Sequence, residues 1–323
     1  MIKIENLVKR YGKNYALDGI SFTVNKGEIV GFLGPNGAGK STCMNILTGF
    51  LSSNSGVAEI DGVDILEHPT EAKKMVGYLP EQPPLYLDMT VDEYLNFVYE
   101  LKHCTLPRAA HLSEICDVVK IKDVRGRVIR NLSKGYRQRV GIAQALIGNP
   151  EVIIFDEPTV GLDPKQIIEV RNLIRNLGKN HTVVLSTHIL PEVQAVCDRI
   201  VVINKGKIVA DGKTEDITRA VTENRRFKIK ICGPQRDVLS YLRQKNGITY
   251  AEVTGERDED AYTYSIECAS GVDMRRALFF SMAEKGWPII GLESVGTSLE
   301  DIFISLIDQK VTADKKNARK GER

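Results

Sequence analysis

The segment from Gly34 to Thr42 has the residue types and spacing of a phosphate-binding loop. Its sequence, GPNGAGKST, fits G-x-x-x-x-G-K-[ST] between a predicted strand, Glu28–Leu33, and a predicted helix, 39–48, which disfavours a plain glycine turn. The glycines let backbone N–H groups turn toward phosphate oxygens, and the amino end of the helix adds a partial positive charge. Lys40 is placed to reach the β- and γ-phosphates of a nucleotide, and the Ser41 hydroxyl to ligate Mg²⁺. The predicted phosphate-site residues are Gly34, Asn36, Gly37, Gly39, Lys40, Ser41 and Thr42.

Two acids end a second apolar strand, predicted over Glu151–Asp156. Carboxylates at the carboxyl end of a buried parallel strand face the ligand crevice of an α/β sheet. Asp156 is suited to hold Mg²⁺, directly or through water, and Glu157 to orient and polarise an attacking water. Alone, an apolar strand followed by two acids is a weak signal. Together with the phosphate loop it predicts hydrolysis of a bound nucleotide.

These residues are positioned by a pattern of alternating strands and helices that runs to about residue 215. Such alternation predicts an α/β fold with a mainly parallel sheet. Further strands of this sheet are predicted at Thr182–Thr187 and Arg199–Ile203. The pattern is almost purely helical from Thr90 to Gly148, where Thr90 and Glu93 form a capping box. We therefore predict a first domain over 1–221 with a helical insert at about 83–148.

The pattern of predicted strands and helices changes near residue 222. The elements read β-α-β-β-α-β, the split βαβ arrangement, which predicts a small α+β domain over 222–310. The aromatic residues Trp287, Phe279 and Phe280 are expected to pack inside it. A final helix is predicted to start near Thr297, and 311–323 form a basic tail that is expected to be solvated. The predicted elements are strand 227–232, helix 235–245, strands 248–254 and 262–268, helix 272–285 and strand 289–294.

Composition and charge exclude several classes of protein. The 323 residues are 42% hydrophobic and 27% charged, enough to bury a full core, and the net charge is only +2. The last fourteen residues have a net charge of +4 and the rest of the chain −2, so the body is slightly acidic and does not favour nucleic-acid binding. No apolar run approaches the ~20 residues of a membrane span. Six scattered cysteines without a Cys-x-x-Cys pair disfavour zinc and disulfide scaffolds, so we expect a soluble cytoplasmic protein.

Residues 131–139, NLSKGYRQR, resemble the signature loop of ATP-binding-cassette (ABC) ATPases, and the resemblance extends over about 1–215. It implies that Ser133 and Gly135 contact the γ-phosphate of an ATP held by a second cassette. A serine hydroxyl and helix-terminal N–H groups suit an anion, although a plain serine helix cap is the local alternative. Lys134 and Tyr136 depart from the usual Leu-Ser-Gly-Gly-Gln. This variant resembles cassettes of gliding-motility, sodium and drug exporters.

Four further positions match the family in chain order. Gln82 resembles the glutamine that contacts Mg²⁺ or the attacking water and joins the sheet domain to the helical insert. Asp163, in the segment Gly161–Pro164, resembles the dimer-contact loop and is also placed to cap a helix. His188 resembles the switch histidine that touches the γ-phosphate. Tyr11 resembles the aromatic residue on which adenine stacks.

Cys43 lies in the first turn of the phosphate-loop helix, where the helix dipole favours a thiolate. Packing is the simpler interpretation of so small a residue. If the thiol is reactive, ATP should protect it from alkylation.

The resemblance implies an ATPase subunit that binds ATP and Mg²⁺ and pairs with a second cassette, either another copy or a paralogue. A separate membrane permease would provide the transport path, and the chain would sit on the inner face of the cell membrane. The alternatives are a soluble ABC-type ATPase of translation or DNA repair and a module that holds ATP without hydrolysis. A nucleotide kinase would share the phosphate loop, but we would not expect it to have the signature loop or the segment 161–164.

Overall fold

The computed structural model of the chain describes residues 1–217, 226–258, 260–269 and 272–294. The chain divides into two compact units, Met1–Glu215 and Asp216–Arg323. The predicted final helix near Thr297 and the basic tail, 311–323, lie outside the described residues.

The first unit contains two sheets. Its strands are β1 (Ile2–Tyr11), β2 (Asn14–Val24), β3 (Ile29–Leu33), β4 (Ser55–Ile60), β5 (Val63–Asp64), β6 (Val76–Leu79), β7 (Val152–Asp156), β8 (Thr182–Thr187), β9 (Arg199–Asn204) and β10 (Lys207–Lys213). Its helices are α1 (Lys40–Leu47), α2 (Pro69–Lys74), α3 (Val91–Leu101), α4 (Arg108–Val118), α5 (Lys134–Leu146), α6 (Pro164–Leu177) and α7 (Leu190–Val196). The larger sheet has the order β10-β9-β3-β8-β7-β6, and the smaller has the order β2-β1-β4-β5.

The larger sheet confirms the predicted mainly parallel arrangement. Its strands pair in parallel except at the edge, where β10 runs antiparallel to β9. Strands β3 and β7 are buried along their whole length, as expected for strands covered on both faces. The register sets Leu33 beside Thr187 and Asp156 beside Ser186. The segments that follow β3, β7 and β8 therefore leave the sheet at the same edge.

A single hydrophobic cluster joins the two sheets through α1. It includes Ile4 of the antiparallel sheet, Phe32 of the parallel sheet and Met44 of α1, all almost fully buried. Burial of such side chains stabilises the unit by about 1.5–3 kcal/mol each. Because α1 is held in this core, the start of the helix is fixed directly beyond the end of β3.

The predicted helical insert consists of α3, α4 and α5 with two short 3₁₀ turns, at Lys122–Val124 and Ile129–Asn131. Its capping box is present: the Glu93 N–H donates to Thr90 Oγ1 at 3.2 Å, and the Thr90 N–H donates to Glu93 Oε2 at 2.8 Å. Among the described residues, no helix combines the length and apolarity needed to cross a membrane.

The second unit has the predicted element order. It comprises β11 (Arg226–Cys232), α8 (Gln235–Gln244), β12 (Ile248–Asp258), β13 (Ala261–Cys268), α9 (Arg275–Glu284) and β14 (Ile289–Ser294). The strands form an antiparallel sheet in the order β12-β13-β11-β14, which is that of a split βαβ fold.

The prediction that three aromatic side chains pack inside this unit is confirmed for one of them and wrong for the other two. Trp287 packs against the core, as expected. Phe279 and Phe280 do not, since they are 58% and 60% exposed. The buried side of α9 is formed by Leu278 and Met282, which are four residues apart and so share one face of the helix. The two phenylalanines fall outside that face.

Candidate active site

A cavity of about 500 Å³ lies at the edge of the parallel sheet where β3, β7 and β8 end. Six of its lining residues belong to the phosphate loop: Asn36, Gly37, Gly39, Lys40, Ser41 and Thr42. The others are Ala16, Glu81, Glu157, Val160 and His188. The geometry therefore brings together the phosphate loop, the glutamate directly after β7 and the histidine directly after β8.

The phosphate loop depends on glycine at two positions. Gly39 has φ of 111°, and a Cβ there would lie 2.4 Å from the carbonyl oxygen of Ala16. Gly34 has ordinary φ, but a Cβ would lie 2.5 Å from the carbonyl oxygen of Ile203. The first helical residue after Gly39 is Lys40, so the unpaired N–H groups of the helix start face the loop. This arrangement suits a phosphate anion.

Lys40 is buried inside the loop and held by its carbonyl groups. Its Nζ donates to the carbonyl oxygens of Gly34 at 2.8 Å and Pro35 at 3.3 Å. The same Nζ lies 3.6 Å from Glu157 Oε1, and both side chains are more than nine-tenths buried. The ammonium group therefore stands between the phosphate loop and the acid proposed to act on water.

Asp156 is a buried carboxylate beside two hydroxyl groups. Burial raises the pKa of Asp156, while hydrogen bonds from Ser186 and Ser41 act in the opposite direction. The Ser186 hydroxyl donates to Asp156 Oδ1 at 2.7 Å. Carboxylate and hydroxyl oxygens are ligands that Mg²⁺ prefers, and a cation would offset the cost of burying the negative charge. The donor set of Ser41 and Asp156 thus fits Mg²⁺.

Glu157 adopts an unusual backbone conformation that turns its side chain toward the cavity. Its φ is 48°, in the left-handed region that costs a non-glycine residue about 1–3 kcal/mol and that clusters at functional sites. Its N–H donates to the carbonyl oxygen of Ser186 at 2.8 Å. The side chain accepts from Thr187 Oγ1 at 3.1 Å and lies 2.9 Å from Nδ1 of His188. The ends of β7 and β8 are therefore joined at this carboxylate.

The signature-loop residues Ser133 and Gly135, and Asp163, are not among the residues that line the cavity. Ser133 caps α5, since its Oγ accepts from the N–H of Tyr136 at 3.4 Å. Asp163 caps α6 by accepting from the N–H of Gln166 at 2.9 Å. The local capping interpretation therefore holds for both residues, and neither lines the cavity of its own chain.

Two departures from the usual signature loop have partners within the chain. The Tyr136 hydroxyl donates to Asp123 Oδ2 at 2.8 Å, and this hydrogen bond raises the pKa of Tyr136. The ammonium group of Lys134 fills the space beside Gly161, where a Cβ would meet its Nζ at 1.9 Å. Gly161 has φ of 71°, so both its conformation and this contact require glycine. Lys134 thus packs the signature loop against the segment 161–164.

Tyr11 and Gln82, like Ser133 and Asp163, lie outside the cavity lining. Tyr11 is 51% exposed at the end of β1, while Ala16 of β2 lines the cavity instead. Gln82 lines a separate groove, and its neighbour Glu81 faces the cavity. Three residues of the cavity lining were not predicted from the sequence: Ala16, Glu81 and Val160. Glu81 directly precedes the predicted site residue Gln82, which was the one available signal.

The interpretation of Cys43 as a packing residue is confirmed, and the alternative of a reactive thiol is not. The side chain is fully buried against the core, and burial raises the pKa of the thiol far above its usual range. Desolvation disfavours the thiolate more than the helix dipole favours it. Burial alone is therefore expected to keep the Cys43 thiol from alkylation, both with and without ATP.

Comparisons with known proteins identify the family. Residues 17–160 match the family model described as ABC transporter. The uncharacterised ABC transporter ATP-binding protein YxlF of Bacillus subtilis is 30% identical over 95% of this chain and 99% of its own length. The chain belongs to the family of ABC transporter ATP-binding proteins. Another member, the bacitracin transport ATP-binding protein BcrA of Bacillus licheniformis, is also 30% identical, over 95% of this chain and 97% of its own.

Solved structures agree with the assignment of this ABC protein. The bacterial ABC transporter cassette MJ0796, solved as a dimer, is 28% identical and superimposes with a TM-score of 0.61 over 66% of this chain and 99% of its own. The same cassette in a post-hydrolysis state bound to ADP and Pi gives a TM-score of 0.60. The predicted family, the P-loop cassette fold and ATP hydrolysis coupled to transport are confirmed. The chain is an ATP-binding transporter ATPase.

Proposed function

We propose that this ABC protein is the ATP-hydrolysing subunit of an exporter in which two cassettes close over two ATP molecules. The observation that carries the proposal is the position of Glu157, held by Thr187 and His188 and facing Lys40 of the phosphate loop. The carboxylate stands on the cavity wall where the terminal phosphate of a nucleotide on this loop would end. Such a group can orient and polarise an attacking water.

The contacts of Lys40 suggest how binding prepares the site. Phosphate oxygens are stronger acceptors than the carbonyl groups of Gly34 and Pro35 and would draw the ammonium group away from Glu157. The carboxylate would then be free to accept a hydrogen bond from water. His188, at the same carboxylate, would contact the γ-phosphate. Ser41 and Asp156 would hold Mg²⁺, which would supply charge neutralisation for the transferred phosphate. Gln82 could join these two residues only if its loop turned inward.

The second cassette would provide the signature residues. Ser133 is exposed at the start of α5, and neither it nor Asp163 lines the cavity of its own chain, so both are available to another copy or to a paralogue. Relatives at 34–36% identity include a Nod factor export protein of Ralstonia nicotianae and the lipopolysaccharide export protein LptB of Haemophilus influenzae, which supports export as the direction. We further propose that 1–221 form the cassette and 222–310 an accessory domain that aids dimer contact or regulation.

Mixing two inactive variants tests whether sites are shared between chains. Lys40→Ala disables the phosphate loop, and Ser133→Glu places a negative charge against the γ-phosphate. Each variant alone should be nearly inactive, because every site of its dimer contains the defect. In a mixed dimer one site combines the intact loop of one chain with the intact signature residue of the other. We expect phosphate release to recover to a fraction of the wild-type rate on mixing.

The control for this experiment is a mixture in which one chain carries both substitutions and the other carries Ser133→Glu alone. No pairing of these chains contains an intact site, so activity should stay low. Equal thermal melting of all variants excludes misfolding. Absence of recovery in the first mixture, with dimers demonstrably formed, would show that the chain does not share its sites as proposed.

The groove lined by Gln82 is the proposed contact for a membrane permease. Its volume is about 720 Å³, and it lies between the end of α1, β6 and α5 of the helical insert. Phe50 on its rim is 77% exposed, so its ring is available to an apolar surface of a partner. A permease on this groove would hold the chain at the inner face of the cell membrane and would contact the loop after β6.

Phe50→Asp is expected to abolish co-purification of the membrane partner while leaving ATP hydrolysis by the isolated subunit unchanged. A charge at this rim would have to be desolvated by an apolar partner surface. The measurement is gentle detergent extraction with the tagged subunit, followed by identification of the retained membrane protein. Leu101→Asp is the matched control, since Leu101 is 65% exposed on α3 and does not line the groove. Retention of the partner by Phe50→Asp would place the contact elsewhere.

A further inference from the structure

Glu192 is a buried carboxylate that the proposed mechanism does not use. It lies in the first turn of α7, four residues after His188, and is only 2% exposed. Charged side chains are almost never this deeply buried unless they have specific partners. The next residue, Val193, packs against Gly31 of β3, so the position of α7 on the sheet is fixed.

Both partners of Glu192 are threonines that adjoin proposed catalytic residues. The Thr159 hydroxyl donates to Oε1, and the Thr187 hydroxyl lies 3.1 Å from Oε2. Thr159 follows Glu157 by two residues, and Thr187 directly precedes His188. One carboxylate therefore joins the segment after β7 to the segment after β8.

The Thr187 hydroxyl is shared between two carboxylates. It lies 3.1 Å from Glu157 Oε2 and 3.1 Å from Glu192 Oε2, and its oxygen accepts from the N–H of Ile189 at 3.2 Å. Since the hydroxyl has a single proton, its orientation depends on both acids. A change at Glu192 must alter the hydrogen bonding of Glu157.

The segment after β7 is also held from its other side. Gln138 of α5 donates through Nε2 to the carbonyl oxygen of Pro158 at 2.8 Å, in a buried contact. The residues that follow Glu157 are thus fixed between α5, which begins at the signature loop, and Glu192 of α7. Left-handed backbone at Glu157 needs such support, because its surroundings must impose a conformation of high energy.

We propose that Glu192 is a positioning residue that sets the geometry of Glu157 and His188 through Thr159 and Thr187. The proposal rests on the proposed role of Glu157 in hydrolysis. A buried carboxylate with two neutral partners is a costly way to hold a fold together, which favours a role in fixing one geometry. Glu192 acts through its two threonines and touches no substrate.

Two substitutions and one control test the proposal. Glu192→Gln retains the shape but leaves one acceptor oxygen for two hydroxyls, and Thr159→Val removes one hydroxyl at constant shape. Each should lower kcat for ATP hydrolysis about tenfold, since small misplacements of catalytic groups have effects of this order or greater. The KM for ATP and the affinity for a fluorescent ATP analogue should change less than about twofold. Thr159→Ser retains the hydroxyl and should retain the wild-type kcat.

The double variant Glu192→Gln/Thr159→Val separates positioning from general stability. If both residues act through one contact, its kcat should be no lower than that of the worse single variant, because coupled residues are not additive. All rates are measured well below the melting temperature of the least stable variant. An unchanged kcat in Glu192→Gln, an equal loss in Thr159→Ser or additive losses in the double variant would each overturn the proposal. Normal hydrolysis by Glu157→Gln would overturn the proposed role of Glu157, and with it the proposal for Glu192. Loss of hydrolysis in Glu157→Gln with an unchanged kcat in Glu192→Gln would overturn the proposal for Glu192 alone.

Discussion

Glu157→Gln is expected to abolish ATP turnover while leaving ATP bound. Glutamine has the shape of glutamate, so the contacts with Thr187 and the fold of the loop should survive. The amide cannot take up a proton from water, and loss of a general base lowers the rate about 10²–10⁴-fold. The substitution also removes a negative charge 3.6 Å from Lys40. Loss of this charge favours binding of the negatively charged triphosphate. Closure of two cassettes over ATP would then persist, because hydrolysis no longer reopens it.

The measurements are phosphate release and the molecular mass in solution with ATP and with ADP. We expect no release and a dimer that forms with ATP only. Glu151→Gln is the control, since it makes the same chemical change directly before the start of the same strand, in a surface pair with Lys26. Normal turnover by Glu157→Gln would refute the role of the carboxylate. A loss of turnover without dimer formation would keep that role and refute the paired arrangement.

The site could be assembled from sequence because its parts follow parallel strands. The phosphate loop follows β3, Asp156 ends β7 and Glu157 comes directly after it, and His188 follows β8. Strand prediction needs only local patterns, and parallel pairing then places every carboxyl end at one edge. The caps at Thr90, Ser133 and Asp163 were equally accessible, since a cap and its partner lie three residues apart.

The details that sequence did not provide depend on side-chain direction and long-range contacts. Glu81 and Gln82 are adjacent in a loop, where no periodicity tells which of the two faces the cavity. Apolar type alone did not show that Phe280 lies outside the buried face of α9. The acid at Glu192 is typical of an exposed first helical turn, and only its contacts with residues distant in sequence, such as Thr159, show that it is buried.

Lys40→Ala is expected to weaken ATP binding itself. The ammonium group is the one cation lining the described cavity, and hydrogen bonds to charged groups are worth about 1.5–3 kcal/mol, or roughly ten- to a hundredfold in Kd. The loop would also lose a donor to the carbonyl groups of Gly34 and Pro35, so its closed shape should become less stable. The measurement is titration with a fluorescent ATP analogue, together with the rise in melting temperature that ATP produces. That rise should shrink, since stabilisation by a ligand follows its concentration relative to Kd.

Lys26→Ala is the matched control, because Lys26 is 76% exposed in a weak surface pair and should leave the ATP titration unchanged. Comparing Lys40→Ala with Glu157→Gln separates ATP binding from hydrolysis, the roles proposed for the two members of the buried Lys40–Glu157 pair. Removing the cation should lose binding and therefore dimer formation, whereas neutralising the acid should retain both and lose only chemistry. If Lys40→Ala bound ATP with wild-type affinity, the phosphates could not lie against this ammonium group. The displacement of Lys40 from Glu157 by substrate would then have no basis.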